Sequence, residues 1–342
     1  MMVDETSTKK LTPQRNSKKP PPVGWFASLQ TSRINATAAY AALALLSACG
    51  AGRATLMSEV PRAPEVFAAG SISDSREQWR LTFTPDGTTA YFATSNEFFP
   101  FTRKATIYFS TFANGKWSAP VVAPFSGQYS DMDPFISRDG KRLYFSSIRL
   151  VDGTTRVDLD IWMVERKGSS WGQPVRLGDE VNSANDELYV SESTDGTIYF
   201  ASGPMAPGVG ANFDIFSARR SATGFASRVR LEGVNTTPSA GDPNLQSAWE
   251  FNPEISADGR TLVFTSLRPG GMGLGDLYVA HRDGQVWSAP RNLGPAVNTA
   301  ADEYHPTLSR DGRALYFVRR ASPTRGDFYI VSIAVLPAFD RK

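Results

Sequence analysis

One short pattern occurs five times along the chain, and it restricts the fold more than any other feature. Each copy contains an apolar segment, an Asp-Gly pair and a second apolar segment, and the last two copies read WEFNPEISADGRTLVF and DEYHPTLSRDGRALYF. The intervals between successive pairs are 53, 56, 63 and 53 residues, and the pairs begin at Asp86, Asp139, Asp195, Asp258 and Asp311. A period of this length indicates one supersecondary unit per repeat, stacked beside its neighbours.

Four strands are predicted in each unit. Gly adopts positive φ without strain and Asp can bond its own backbone, so an Asp-Gly pair between two alternating apolar segments predicts a β-hairpin. A third strand follows in segments such as DIWMVE and DLYVAH, and a fourth in segments such as KWSAPVV and VWSAPRNL. The sequence therefore predicts an all-β, five-bladed β-propeller of four-stranded antiparallel blades, because solenoid repeats are shorter and separate sandwiches need about 100 residues each.

The fifth unit has no fourth strand of its own, because no Trp-x-x-Pro segment follows DFYIVSIAVLPAF. The segment RAPEVFAAG, near the start of the repeats, aligns through Pro64 with the fourth strands of the other units. We therefore predict that residues 64–68 complete the last blade by pairing with the strand around Phe328 to Val331, which would remove a free sheet edge. The propeller is predicted to extend over residues 64–342.

The N-terminal part of the chain has a different composition. Six basic residues up to Arg33 precede an Ala-rich apolar run from Ala36 to Ala48. This run is shorter than the roughly 20 residues that span a bilayer, and it matches the apolar region of a secretory signal. The sequence Leu-Ser-Ala-Cys, ending at Cys49, resembles the lipobox of bacterial lipoproteins, and the chain has no other cysteine.

The lipobox resemblance implies that residues 1–48 are a signal segment, that Cys49 carries lipid, and that residues 49–63 are a tether. In Gram-negative lipoproteins, the lack of Asp after the cysteine implies transfer to the outer membrane, and here Gly50 and Ala51 follow it. The expected location is the periplasmic side of the outer membrane, with the lipid as the only membrane attachment.

Charge and motifs exclude several classes of function. A net charge of +2 without a long basic stripe argues against nucleic acid as a partner. The chain contains two histidines, His281 and His305, and it lacks the G-x-S-x-G, H-E-x-x-H and paired-cysteine patterns. These absences argue against a serine esterase or a zinc peptidase of familiar design, and we predict no catalytic residue.

Two sets of equivalent residues are candidates for a site at the propeller axis. Alignment on Pro134, Pro253 and Pro306 places one polar residue per blade at the start of each innermost strand, namely Gln78, Asp131, Glu187, Glu250 and Glu303. Two residues further, on the same strand face, lie Arg80, Asp133, Tyr189, Asn252 and His305. We call these the first tier and the second tier. Either they form a binding funnel around the channel, or the repeated carboxylates only bond backbone groups between blades.

Tryptophan recurs in the fourth-strand segments as Trp117, Trp171 and Trp287, with Phe225 in the third unit. Packing between blades is the favoured interpretation, and stacking on a sugar is the alternative.

The pattern Pro-x-x-Ser-x-Asp-Gly, followed by Leu-Tyr-Phe and then Asp-Leu-Tyr, resembles the WD40-like PD40 repeat of TolB-type propellers. The resemblance extends from about Pro64 to the C-terminus. It implies binding or scaffolding at the cell envelope, with an envelope protein or peptide as partner. Two alternatives remain: a carbohydrate-binding or glycoside-hydrolysing propeller with carboxylates at the channel mouth, and capture of Ca²⁺ by the ring of oxygen ligands. No other cofactor is expected.

Overall fold

The computed structural model describes residues 59–97, 103–154, 156–204, 212–237, 246–322 and 325–340. These residues form five antiparallel sheets arranged as a five-bladed β-propeller, which confirms the predicted fold class. Cys49 and the predicted signal segment lie outside the described residues, so lipidation and the domain limits stay predictions. In the described part of the chain, no helix has both the length and the apolar character that a membrane crossing requires.

Each blade has an inner strand at the axis, a second strand, a third strand and an outer strand. Blade 1 consists of Glu77–Phe83, Thr89–Ser95, Thr106–Ala113, Lys116–Trp117 and Val121–Val122. Blade 2 consists of Ser130–Ile136, Arg142–Ile148, Asp160–Lys167, Ser170–Trp171 and Val175–Arg176. Blade 3 consists of Asp186–Glu192, Thr197–Gly203, Asp214–Arg219 and Val229–Arg230.

Blade 4 consists of Glu250–Ile255, Thr261–Ser266, Asp276–Asp283, Val286–Trp287 and Arg291–Asn292. Blade 5 consists of Asp302–Leu308, Ala314–Ser322, Arg325–Ser332 and, as its outer strand, Glu65–Val66. In blades 1, 2 and 4 the outer strand is divided into two short segments that pair with the same third strand. Two short 3₁₀ helices, Ile333–Val335 and Pro337–Phe339, follow blade 5.

The predicted closure of the ring is confirmed. Glu65 lies opposite Ile330 and Val66 lies opposite Tyr329 in an antiparallel pair, and the Phe67 amide donates a hydrogen bond to the Phe328 carbonyl at 2.7 Å. The Phe67 side chain is buried and lies edge-on to three rings of blades 1 and 5, those of Phe83, Trp117 and Tyr316. The first described strand therefore joins the two ends of the ring through both backbone and core.

The Asp-Gly turns share one hydrogen-bond pattern. A Ser or Thr hydroxyl two residues before the Asp donates to Asp Oδ1 at 2.5–2.6 Å, and the amide two residues after the Asp donates to the same oxygen. The glycine φ values lie between 68° and 81°, where other residues are strained. We call the end of the propeller with these turns the hairpin end, and the opposite end, where the inner strands begin, the loop end.

The repeated tryptophans contact neighbouring blades, as predicted. The Trp171 indole of blade 2 donates to the Tyr91 hydroxyl of blade 1 at 3.0 Å. The Trp287 ring lies edge-on to Tyr199 of blade 3, with ring centroids 6.3 Å apart. Inter-blade packing therefore explains these residues.

Candidate functional site

The four first-tier carboxylates are fully buried, and each is bonded within its own blade. The loop before the inner strand supplies the first donors. Glu187 accepts from the amide and hydroxyl of Ser183 at 2.8 and 2.6 Å. Glu250 and Glu303 accept in the same way from Thr236 and Thr299. Asp131, which has a shorter side chain, accepts from the Ser126 hydroxyl alone in this loop, at 2.8 Å.

Each of these carboxylates also has an arginine of its own, and none of the four is Arg80. The N–O distances are between 2.7 and 3.0 Å, in the pairs Arg149–Asp131, Arg228–Glu187, Arg268–Glu250 and Arg319–Glu303. Serine hydroxyls on the second strands of blades 2, 3 and 4 donate to the same carboxylates. Burial raises the pKa of Asp131, Glu187 and Glu303, and the hydroxyl and arginine donors oppose this rise.

This geometry supports a structural role for the first tier, although not quite the predicted one. The carboxylates do not bond the next blade; they fix the loop that leads into their own inner strand. With three or four donors each, they have little acceptor capacity left for a ligand. Gln78 fixes the equivalent loop of blade 1 as a hydrogen-bond donor, whereas the carboxylates of the other blades are acceptors. Its amide donates to Asp74 Oδ1 at 3.0 Å and to the Arg76 carbonyl at 2.9 Å. A binding role for the first tier stays a prediction.

The second tier has an unusual backbone conformation that the sequence pattern did not predict. All five residues have positive φ, and the values are 27° for Arg80, 54° for Asp133, 67° for Tyr189, 53° for Asn252 and 51° for His305. The pairing of inner and second strands shifts register at the same five places. Each inner strand thus contains a β-bulge, a feature often found beside functional sites and costly for residues other than glycine.

The bulges bring second-tier side chains from different blades together. Asn252 Nδ2 lies 3.1 Å from His305 Nδ1, and His305 Nδ1 lies 3.5 Å from Asp133 Oδ1. The ring of Tyr189 stands edge-on to that of His305, with centroids 5.4 Å apart. Second-tier side chains of blades 2, 3, 4 and 5 therefore lie together at the axis, and a binding role for them stays a prediction.

Burial distinguishes this cluster from the predicted open funnel. The second-tier residues are between 0% and 7% exposed, so side chains fill the axis at this depth. Burial lowers the pKa of His305 well below its usual value, and the positive charge of Arg80 lowers it further. The imidazole is therefore neutral at pH 7.

Asp133 is the least satisfied member of the cluster. Neither of its carboxyl oxygens has a hydrogen-bond partner among the described residues. Burial raises its pKa to about 8, although Arg80 opposes the rise. The carboxyl is therefore mainly protonated at neutral pH.

Sequence reasoning missed three residues on the axis. Glu254, two positions after Asn252, accepts from Arg80 at 2.6 Å and from the Leu308 amide at 3.2 Å, which links blades 1, 4 and 5. Arg138 and Arg310 extend across the hairpin end of the axis and donate to backbone carbonyls of other blades. The sequence does distinguish Arg138 and Arg310, because the equivalent positions of blades 1, 3 and 4 are occupied by Pro85, Thr194 and Ala257.

In the described part of the chain, the His, Cys, Asp and Glu side chains form no group of three or more that could hold a metal ion. The calcium hypothesis therefore gains no support from this geometry and stays a prediction.

No protein-family model matches the chain, and no curated protein matches it. Among solved structures, a putative TolB from Agrobacterium tumefaciens is 19% identical, with a TM-score of 0.46 over 77% of this chain and 79% of that one. TolB from Acinetobacter baumannii is 16% identical, with a TM-score of 0.45 over 75% of this chain and 54% of that one. An α-L-arabinofuranosidase from Lactobacillus brevis is 14% identical, with a TM-score of 0.49 over 78% and 94%. These likenesses concern the propeller fold alone.

Proposed function

We propose that the mature chain is a binding or scaffolding lipoprotein of the cell envelope, and that the loop end of its propeller holds a protein partner. The observation that carries this proposal is the engagement of the first-tier carboxylates by their own loops and arginines. A propeller glycosidase works with carboxyl groups that touch the substrate, about 5–10 Å apart. Here the four candidates have no exposed surface and three or four donors each, which favours binding over catalysis.

The loop end offers a surface suited to a protein. Leu150 and Val157 are 43% and 80% exposed in the loop between the second and third strands of blade 2. Met272 and Leu274 are 45% and 75% exposed in the equivalent loop of blade 4. Exposed apolar side chains at one end of a soluble fold support protein contact. Sugar binding is less favoured, because the repeated tryptophans that could stack on a sugar are used between blades.

Cross-linking in cells tests the loop end. A photoreactive amino acid at Val157 or Leu274 should form a discrete adduct with one envelope protein, since these side chains extend from the partner-binding end. The matched control is Val229, which is 62% exposed on the outer strand of blade 3. The double variant Val157→Glu, Leu274→Glu should lose the partner, because a charge is costly in an apolar contact, while Val229→Glu retains it.

Two kinds of result would contradict this function. One is a different cross-linking pattern, either an adduct of the same protein at Val229 or no adduct at either loop position. The other is hydrolysis of a chromogenic glycoside by the wild type that is lost in Glu250→Gln, which would favour the carbohydrate alternative.

Anchoring is tested separately at Cys49. The Cys49→Ser variant should lose labelling by palmitate and move from the membrane fraction to the soluble fraction, because only the thiol can receive the diacylglycerol. Ser47→Ala, which keeps a small residue before the cysteine, serves as the control and should remain labelled and membrane-bound. Palmitate that persists on the Cys49→Ser variant would refute the lipobox interpretation.

A further inference from the structure

Two arginines lie across the hairpin end of the axis. Arg138 of blade 2 donates to the carbonyl of Glu192 in blade 3 at 3.3 Å and to that of Ile255 in blade 4 at 2.7 Å. Arg310 of blade 5 donates to the carbonyls of Phe83 in blade 1 and Ile136 in blade 2, both at 2.8 Å. The four acceptors occupy equivalent positions near the ends of four inner strands. The two guanidinium groups together therefore bind the ends of the inner strands of blades 1 to 4.

Neither arginine has a carboxylate partner in the described part of the chain. The two nearby acids are already engaged, since Glu254 pairs with Arg80 at 2.6 Å and Glu192 pairs with Arg142 at 3.3 Å. Burial lowers the pKa of Arg310 to about 10, and the charge of Arg138 contributes to this decrease. Two like charges are thus held at one end of the axis, and the two acids whose charges oppose the decrease in the Arg310 pKa, Glu254 and Glu192, are each paired with another arginine. A further anion would stabilise this arrangement.

Two donors in this arrangement make no hydrogen bond within the described part of the chain. Arg310 Nη1 is buried and has no hydrogen-bond partner among the described residues. Arg138 Nη1 also makes no hydrogen bond in this part of the structure, because its contacts use Nε and Nη2. Guanidinium groups held rigidly by other bonds, with remaining N–H groups, are the usual partners of tetrahedral oxyanions.

We propose that Arg138 and Arg310 form a binding site for a small oxyanion of the phosphate or sulfate class at the hairpin end of the axis. The site is at the opposite end of the propeller from the proposed partner surface, and it does not depend on that function. The anion accepts hydrogen bonds from the Nη1 groups and neutralises the pair. Blades 1, 3 and 4 have no basic residue at this position, so the site is formed by these two blades alone.

Titration calorimetry with inorganic phosphate and with sulfate tests the proposal on the complete chain, at constant ionic strength set with chloride. Saturable binding is expected for the wild type. Arg138→Gln or Arg310→Gln should weaken it by ~10–100-fold, the effect of losing one charge-assisted hydrogen bond. Arg313→Gln is the matched control, because Arg313 lies in the same turn as Arg310 but is exposed and pairs with Asp311 at 2.7 Å. Acetate is an additional arm, and an affinity for acetate equal to that for phosphate and sulfate would contradict a site for tetrahedral oxyanions.

A titration of the wild type is enough to overturn the proposal. If neither phosphate nor sulfate gives a saturable binding heat, the site does not exist. Equal affinity in the wild type and in Arg310→Gln would also overturn it. Circular dichroism establishes that each variant is folded. If Arg310→Gln does not fold, Arg310→Lys replaces it, because lysine keeps the charge but lacks the two-pronged geometry; a weaker affinity is then expected, and an unchanged one contradicts the site.

Discussion

Asp133→Asn is expected to raise the free energy of unfolding at pH 8 by about 2–4 kcal/mol. The carboxyl is fully buried, its oxygens have no hydrogen-bond partner among the described residues, and its pKa is raised to about 8. The folded protein therefore holds a proton on Asp133 that the unfolded chain releases near pH 4. Asparagine has the same shape and carries no charge, so it needs no bound proton to remain neutral in the folded protein.

The sign of the pH dependence follows from the raised pKa. A carboxyl whose pKa is higher in the folded state makes its most favourable contribution to the free energy of unfolding below the unfolded pKa of 3.8. That contribution is lost as the pH rises toward the folded pKa of about 8. Urea titrations at several pH values between 5 and 9 should show this loss in the wild type. The difference between variant and wild type isolates Asp133, because His305, Arg80 and Tyr189, which face it, are present in both proteins. A difference that does not change with pH would contradict the prediction.

Glu250→Gln is the matched control, and it should have the opposite sign. Both substitutions convert a fully buried carboxyl to its amide. Glu250, however, accepts hydrogen bonds from Thr236, Ser266 and Arg268, and an amide cannot accept all of them. The expected loss is about 1–3 kcal/mol. Equal effects of the two substitutions would mean that hydrogen bonding does not distinguish the first tier from the second.

The fold could be predicted from the sequence because its determinants are local and repeated. The Asp-Gly turn requires glycine at positive φ and a hydroxyl two residues before the aspartate, and each unit supplies both. The closing strand was also predictable, since Pro64 aligns with other outer strands and the last unit lacks one. Register and ring closure then follow from a single repeated hairpin.

The candidate site was predictable only in part. Alignment placed five residues of each tier together, but it could not show that the first tier is bonded to loops of its own blade. The arginines concerned come from different elements: Arg268 and Arg319 are on or just beyond second strands, whereas Arg228 precedes an outer strand. The bulges were not predictable either. Asp133, Asn252 and His305 are of types enriched in left-handed backbone, but Arg80 and Tyr189 are not, so residue type does not mark the five positions as one set. Long-range packing imposes that conformation.

The two tiers differ in how they affect stability, and this difference bears on function. The first tier stabilises the blades, since each carboxylate has a full set of partners. The second tier combines strained backbone, a protonated aspartate and a neutral histidine in a buried cluster. Strain and unsatisfied polar groups persist where the surrounding structure compensates for them. Ring closure contributes to this compensation because it holds the inner strands around the axis, and the outer strand of blade 5 joins the two ends of the ring.

Phe67→Ala is expected to lower the free energy of unfolding by about 3–5 kcal/mol, the usual cost of removing a buried aromatic side chain. Phe67 is 6% exposed and contacts Phe83 and Trp117 of blade 1 and Tyr316 of blade 5, so its loss opens a cavity at the junction of the first and last blades. Val66→Ala is the control, because Val66 is adjacent but 39% exposed and should cost less than about 1 kcal/mol. Urea titration of both variants measures the difference. Similar losses in the two variants would mean that the backbone pairing of the strand alone, rather than the Phe67 side chain, closes the ring.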